Sequence, residues 1–240
     1  PWQRLLGEAI ADLCSALGAT FIKIGQILST RVDLLPQEMI APLARLQDHI
    51  PPFAFRSVPG IIKAQTGWTL DELFAEFDAL PISSASIACV YRARLRSGQL
   101  VAVKIRRPDI LRKVHSDLRI MRFMAHSLAL LPAMKLIPAV EMVEELGQRI
   151  QQQLDLRIEA RNTQRFRALF AQEPYVHIPD LYEAWCTEGM LVMEFIDDLV
   201  RIDMLEWEEA EYQASLTTGL RALYRMIFLD GSIPVSYTHL

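Results

Sequence analysis

Leu100-Val101-Ala102-Val103-Lys104-Ile105 is a short β-type run that carries a lysine near its end. Upstream lies a second β-type run, Ile87–Leu95. The two are joined by Arg96-Ser97-Gly98-Gln99, whose Ser-Gly pair predicts a hairpin and hence an antiparallel pair of strands. Pro108 suits the first turn of a helix running to about Leu131. A second long helix is expected from Pro138 to Phe170. Ile178–Trp185 and Met190–Ile196, divided by Glu188-Gly189, predict another hairpin, and Glu208–Phe228 returns to amphipathic helix. The first third carries helical spacing only: Leu5, Leu6, Ala9, Ile10, Leu13 and Leu17, then Phe21–Leu28, Pro36–Leu46 and Phe55–Gln65. Helices around a small antiparallel sheet define an α+β architecture.

With 240 residues and 51% of them apolar, the chain can bury a substantial core. Its 25 Lys and Arg against 29 Asp and Glu give a net charge of -4, so the overall charge does not point to nucleic acid as a partner. Cys14, Cys89 and Cys186 are odd in number and far apart, which fits neither a disulfide framework nor a zinc site and suits a reducing cytosol. Residue 1 is Pro and no signal-peptide pattern follows, so the amino terminus reads as a cut. Phe123–Val143 is the most apolar stretch. It is a poor membrane span, because it contains His126, Lys135 and Glu141 and is broken by Pro132 and Pro138.

Several segments can carry chemistry. Val101-Ala102-Val103-Lys104 matches the Val-Ala-Ile-Lys strand of kinases, where a lysine at a strand end projects its ammonium onto nucleotide phosphates. Four residues alone fit equally a lysine that snorkels to solvent. One strand upstream, Pro81-Ile82-Ser83-Ser84-Ala85-Ser86-Ile87 puts small side chains where a phosphate-covering loop would lie. Glycine is absent, so positive φ is disfavoured and the loop is expected to be stiff. Downstream, Asp155 and Glu159 are four residues apart, which puts them on one face of the predicted long helix. Glu159 there can partner Lys104, or both carboxylates can simply face water. Leu191–Asp197 reads as a last strand running into a hinge, where the backbone of Glu194 and Ile196 would meet adenine. A plain apolar strand is the alternative.

At the amino end stand Phe21-Ile22-Lys23-Ile24-Gly25-Gln26, Leu28-Ser29-Thr30-Arg31 and Asp33-Leu34-Leu35-Pro36. Taken with the later motifs in this order, over about residues 10–231, the chain resembles the ABC1/ADCK/UbiB family of atypical, protein-kinase-like proteins. The resemblance implies a helical extension over residues 1–76 and a kinase-like small lobe with an inserted helix over 77–197. It further implies the start of a helical large lobe over 198–231, with 232–240 an off-pattern tail.

By the same resemblance, Lys104, Glu159, Ser83, Ser84, Ala85, Ser86, Glu194 and Ile196 would bind ATP or ADP with Mg2+. Lys23, Gly25 and Gln26 match the Lys-x-Gly-Gln motif, which packs across the active site and regulates it. Its acidic partners correspond to Gln153 and Asp155, so the pairing of Lys23 is expected to rest on Asp155. The family continues past an Asp-Gly like Asp230-Gly231 into a catalytic loop with His-Ala-Asp, then Asn, then a metal-binding Asp. The only asparagine here is Asn162, so this stretch is expected to bind ATP without turning it over efficiently.

Two functions compete. One is an ATP-binding atypical kinase or ATPase supporting ubiquinone or related isoprenoid-quinone metabolism, cytoplasmic and peripheral on the inner membrane, with quinone-pathway proteins, isoprenoid lipids or the membrane surface as partners. The other is a non-catalytic scaffold for lipid or proteins, which the apolar helices near Phe123–Val143 motivate. A small-molecule phosphotransferase ranks third, because it leaves the Lys-Ile-Gly-Gln extension unexplained.

Overall fold

The computed structural model describes residues 2–30, 35–46, 51–130, 138–197 and 209–228. Arg31, Asp33 and Leu34 of the amino-terminal motif, Asp230-Gly231, and the tail from Ser232 lie outside the described residues, as does the 198–208 part of the expected large lobe. The architecture is α+β, with helices packed on both faces of a five-stranded antiparallel sheet.

Three helices form the amino-terminal layer: α1 (Trp2–Leu17), α2 (Ala19–Ser29) and α3 (Gln37–Leu43). Gly18 ends the first and opens the second. Its φ of 95° takes the chain through a conformation that side chains resist, its N–H reaches the Cys14 carbonyl, and its own carbonyl receives Ile22. A 3-10 turn at Phe55–Ser57 leads into α4 (Val58–Thr66), which Gly67 closes with φ 81°. The short α5 (Leu70–Leu73) follows, its entry held by Glu72, which accepts from both the N–H and the hydroxyl of Thr69.

The sheet runs in the order β1 (Phe74–Phe77), β3 (Ala88–Leu95), β4 (Leu100–Arg106), β5 (Met190–Glu194), with β2 (Ser83–Ser84) also on β3. The β3–β4 hairpin stands where the sequence puts it, with Val90 opposite Lys104 and Gly98 at φ 98° in the turn. Alternation then assigns the faces. Cys89, Tyr91, Ala93, Leu95, Val101, Val103, Ile105, Met190 and Val192 pack with Val58 and Ile62 of α4, and with Leu73 and Phe74. This cluster runs continuously across position 76. Each fully buried aliphatic side chain in it contributes about 1.5–3 kcal/mol relative to exposure. Lys104 and Arg106 therefore point to the opposite face.

That opposite face is covered by α8 (Leu156–Phe170), whose Leu156 and Ala160 pack on Leu191. Beside it α6 (Ile110–Ala129) and α7 (Ala139–Leu154) pack together through Val114, Leu118 and Ile150, a cluster that also takes in Ile24 of α2. The last described helix is α9 (Glu209–Phe228). Among the described residues, no helix is long and apolar enough to cross a membrane; 131–137 of the apolar stretch lie outside them.

Four expectations are corrected. The single helix over 138–170 is broken at Asp155, which sits at φ −96°, ψ 99° and caps α8 by accepting from the Arg157 N–H. Aspartate competes with helical backbone bonding in this way. Tertiary partners replace the lost helix bonds: Arg106 donates to the Leu154 carbonyl, and the Leu156 N–H reaches the Glu188 carbonyl. Ile178–Trp185 is not a strand. It makes one isolated bridge, Leu181 to Met193, and then a 3-10 turn, as befits a segment whose Pro179 lacks an N–H to pair. Ser83 and Ser84 lie in β2 rather than in a loop. Phe74–Phe77, read as part of the helical first third, is an edge strand paired with β3.

Candidate functional site

Lys104 leaves the sheet towards α8, where its ammonium meets both carboxylate oxygens of Glu159 at 2.7 and 2.8 Å. The two side chains are 13% and 35% exposed, so the pair is held between the sheet and the helix rather than in open water. Two-point pairing restricts the lysine and leaves a fixed positive charge at the end of β4.

Facing it along β3 is the turn that joins β2 to β3. The Ala85 N–H reaches the Ala88 carbonyl at 2.9 Å, so the tip is the pair Ser86-Ile87. No residue of this turn has positive φ. Ser83 is exposed, Ser84 and Ala85 are half-buried, and Ser86 is buried. The N–H groups of Ser86 and Ile87 donate to no acceptor among the described residues. Behind the turn, the Ser84 hydroxyl lies 3.4 Å from the Cys89 thiol. Two residues along the same face, the Tyr91 hydroxyl has no hydrogen-bond partner among the described residues, and burial pushes its pKa up to about 12, so it stays protonated.

Two arginines just past the lysine, Arg106 ending β4 and Arg107 following it, escaped the sequence reading. Arg106 donates from one nitrogen to the Leu154 carbonyl, to the Glu188 carbonyl at 3.2 Å and to the Glu188 carboxylate at 2.8 Å. Arg107 donates to the Ala85 carbonyl at 2.8 Å, and to the Ser84 hydroxyl and the Pro51 carbonyl at 2.9 Å each. Lys104, Arg106 and Arg107 thus reach from one strand end to α8, to the α7–α8 break and to the turn. The available signal was their adjacency to the lysine. Their partners are mostly carbonyls far away in sequence, which no motif records.

At the far end of β5, Glu194 binds back onto the preceding segment: its N–H reaches the Asp180 carbonyl, and its carboxylate accepts from the Asp180 N–H and from His177 at 2.8 Å. Burial pulls its pKa up, but these hydrogen bonds and the charges of His177 and Arg167 outweigh it and hold the carboxyl below the usual range. The Phe195 N–H is bonded to the Leu100 carbonyl, whereas that of Ile196 donates to no acceptor among the described residues.

Lys23, Gly25 and Gln26 lie on α2 between two apolar clusters. Ile24 packs with Leu118, Ile150 and Leu154, and Ile22 packs with Cys14, Leu43 and Leu46. Gly25 is closely packed, since a Cβ there would come within 2.2 Å of the Leu46 Cδ1. Gln26 donates to the Leu46 carbonyl at 2.8 Å, while its own side-chain carbonyl oxygen is buried without a donor among the described residues. Gln153 is half-buried near the end of α7. The expected Lys23–Asp155 pair is not formed. The Asp155 carboxylate is taken by the Arg157 guanidinium at 2.8 Å, and this hydrogen bond holds its pKa below the usual carboxylate value against partial burial.

Of the concavities among the described residues, one of about 420 Å3 lies against β1 and α5 and another of about 310 Å3 between Trp68 and Trp185. Neither is lined by Lys104 or Glu159, so the charged geometry rather than an enclosed cavity marks this site. Among the described residues no cluster of His, Cys, Asp or Glu forms a metal centre.

A strand lysine braced by a helix glutamate, beside a turn of small residues, is the arrangement of a kinase-like lobe. The model of the ABC1 atypical kinase-like domain matches residues 45–234. The chain belongs to that family. The chain is 37% identical to a probable protein kinase UbiB from Aeromonas hydrophila over 97% of its own length and 45% of the relative's. Another from Pseudomonas aeruginosa is 37% identical over 89% of this chain and 41% of that one. The chain thus spans about half the length of the curated ABC1 relatives it matches. Among solved structures, the complex of Rv3197 with erythromycin from Mycobacterium tuberculosis resembles it with a TM-score of 0.54 and 29% identity, over 72% of this chain and 44% of that one. Residues 45–234 contain the Lys104–Glu159 pair, the turn and all five strands, while α2 with Lys23, Gly25 and Gln26 precedes them.

Proposed function

We propose that this chain is the nucleotide-binding part of an ABC1-type atypical kinase or ATPase that supports ubiquinone or related isoprenoid-quinone metabolism. The observation that carries the reading is the two-point Lys104–Glu159 pair beside the turn at Ser86-Ile87. In the bound state the ammonium of Lys104 would neutralise phosphate charge, with the turn amides as further donors and Mg2+ sharing the remaining charge. Glu159 orients the lysine, and the Ile196 N–H at the end of β5 is available to the base. Quinone-pathway proteins, isoprenoid lipids and the membrane surface follow as partners of the whole protein.

The test is thermal unfolding with Mg-ATP. Saturation at one hundred times the dissociation constant adds about 2.7 kcal/mol to folded-state stability. Lys104→Ala is expected to abolish the shift. An unmodified chain with no shift at millimolar Mg-ATP contradicts the proposal.

A second reading, a scaffold for lipid or proteins, draws on α6 and the turn that follows it, where Phe123 and Met124 are 74% and 56% exposed and Leu130 is 81% exposed. It expects folding and partner binding that are indifferent to nucleotide.

A further inference from the structure

We infer that Arg107 is the positioning residue of this site, through which the helical extension sets the aim of the turn that meets the nucleotide's phosphates; the inference rests on reading that turn as phosphate-binding. The turn lacks glycine and uses no positive φ, so no glycine-specific turn geometry fixes it. Arg107 supplies the missing determinant. Its backbone N–H holds the Ile87 carbonyl at 2.8 Å, and its guanidinium holds the Ala85 carbonyl and the Ser84 hydroxyl.

A trans peptide unit is planar, with its C=O and N–H pointing in opposite directions. Drawing the Ala85 carbonyl towards Arg107 therefore aims the Ser86 N–H away from it, and that N–H donates to no acceptor among the described residues. A single residue thus both anchors the back of the turn and orients its amide. The same guanidinium nitrogen that reaches Ser84 also reaches the Pro51 carbonyl, on the segment before the 3-10 turn and α4 within the helical extension. A planar guanidinium spans these acceptors as a rigid fork, whereas a lysine at 107 offers one point donor. Movement of the Pro51 segment is thereby passed to the turn without any change at Lys104.

The experiment compares the unmodified chain with Arg107→Ala, Arg107→Lys and Ser84→Ala, titrated separately with Mg-ATP, Mg-ADP and adenosine. Hydrogen exchange is followed in parallel. Arg107→Ala is expected to weaken ATP and ADP about tenfold, the scale of lost charge-assisted hydrogen bonds, and to leave adenosine within about twofold. Arg107→Lys should recover part of the loss. Ser84→Ala, which keeps the fold, should cost about two- to threefold. In Arg107→Ala the amides of Ala85, bonded to the Ala88 carbonyl, and of Ser57, bonded to the Ala54 carbonyl, should exchange faster while those of β4 and β5 hold.

Parallel loss of adenosine and ATP affinity, or no loss of either, overturns the positioning role. Unchanged exchange at the Ser57 amide overturns the coupling. If the unmodified chain binds no nucleotide, the phosphate reading fails, and the exchange result still decides whether Arg107 joins the two segments.

Discussion

Lys104 lies between sheet and helix with its ammonium on the Glu159 carboxylate, and its side chain is the more buried of the two, so the two residues have unequal mutational costs. Glu159→Gln leaves a largely buried ammonium facing an amide, and is expected to lower stability by about 1–3 kcal/mol in urea unfolding, the scale for an under-satisfied charged group. Lys104→Met removes the charge and keeps the stem, and should cost less. The reverse order of unfolding midpoints would contradict this account. Gly25 is the other residue where one atom decides the outcome. Alanine gains about 1 kcal/mol of helix propensity, but its Cβ must displace Leu46, and overpacking costs about 1–3 kcal/mol. Gly25→Ala should therefore destabilise the chain, and much less so when Leu46→Ala has made room. Equal effects in both backgrounds would mean that the contact carries no energy.

Among the elements, the α7–α8 break is the least legible from sequence. Helical periodicity runs unbroken through Asp155, and the break depends on Arg106 and Glu188, 48 residues before Leu154 and well after it. Removing the cap with Asp155→Ala is expected to cost about 1 kcal/mol, and Arg106→Ala, which strips a donor from the Leu154 carbonyl, about 1–3 kcal/mol. Both would be measured as unfolding midpoints. No loss in either would contradict the view that these contacts hold the break. By contrast, the β3–β4 hairpin was legible, because two β-type runs flank a Ser-Gly turn with Gly98 at positive φ. Phe74–Phe77 was not: four residues become a strand only because β3 offers an edge. The Lys104–Glu159 partnership was readable from a motif and a helix position, whereas Arg107 was invisible because its acceptors are carbonyls up to 56 residues away.

At the scale of the molecule, α2 joins the amino-terminal helices to the α6–α7 pair, so the Lys23–Gln26 segment is built into two cores at once. The carboxylates set the acid limit. Asp155, Glu144 and Glu194 are all held below their ordinary values, chiefly by hydrogen bonds from Arg157, Arg122, and the Asp180 N–H with His177. A carboxyl depressed in the folded state contributes its full stabilisation above the unfolded value, about 4, and loses it as pH falls through the folded value. The urea midpoint is thus expected to hold from pH 7 to about 5 and to fall below about 4. A midpoint that rises on acidification would contradict the assignment.

The central claim, that Lys104 meets the nucleotide's phosphates, can be tested at the lysine itself. The chain has five lysines: Lys23, Lys63, Lys104, Lys113 and Lys135. An acyl-phosphate derivative of ATP transfers its acyl group to a lysine beside the bound phosphates, and mass spectrometry identifies which one. Lys104 is expected to be modified preferentially and to be protected by excess Mg-ATP. Modification spread over the other four lysines, or undiminished by Mg-ATP, would contradict the claim.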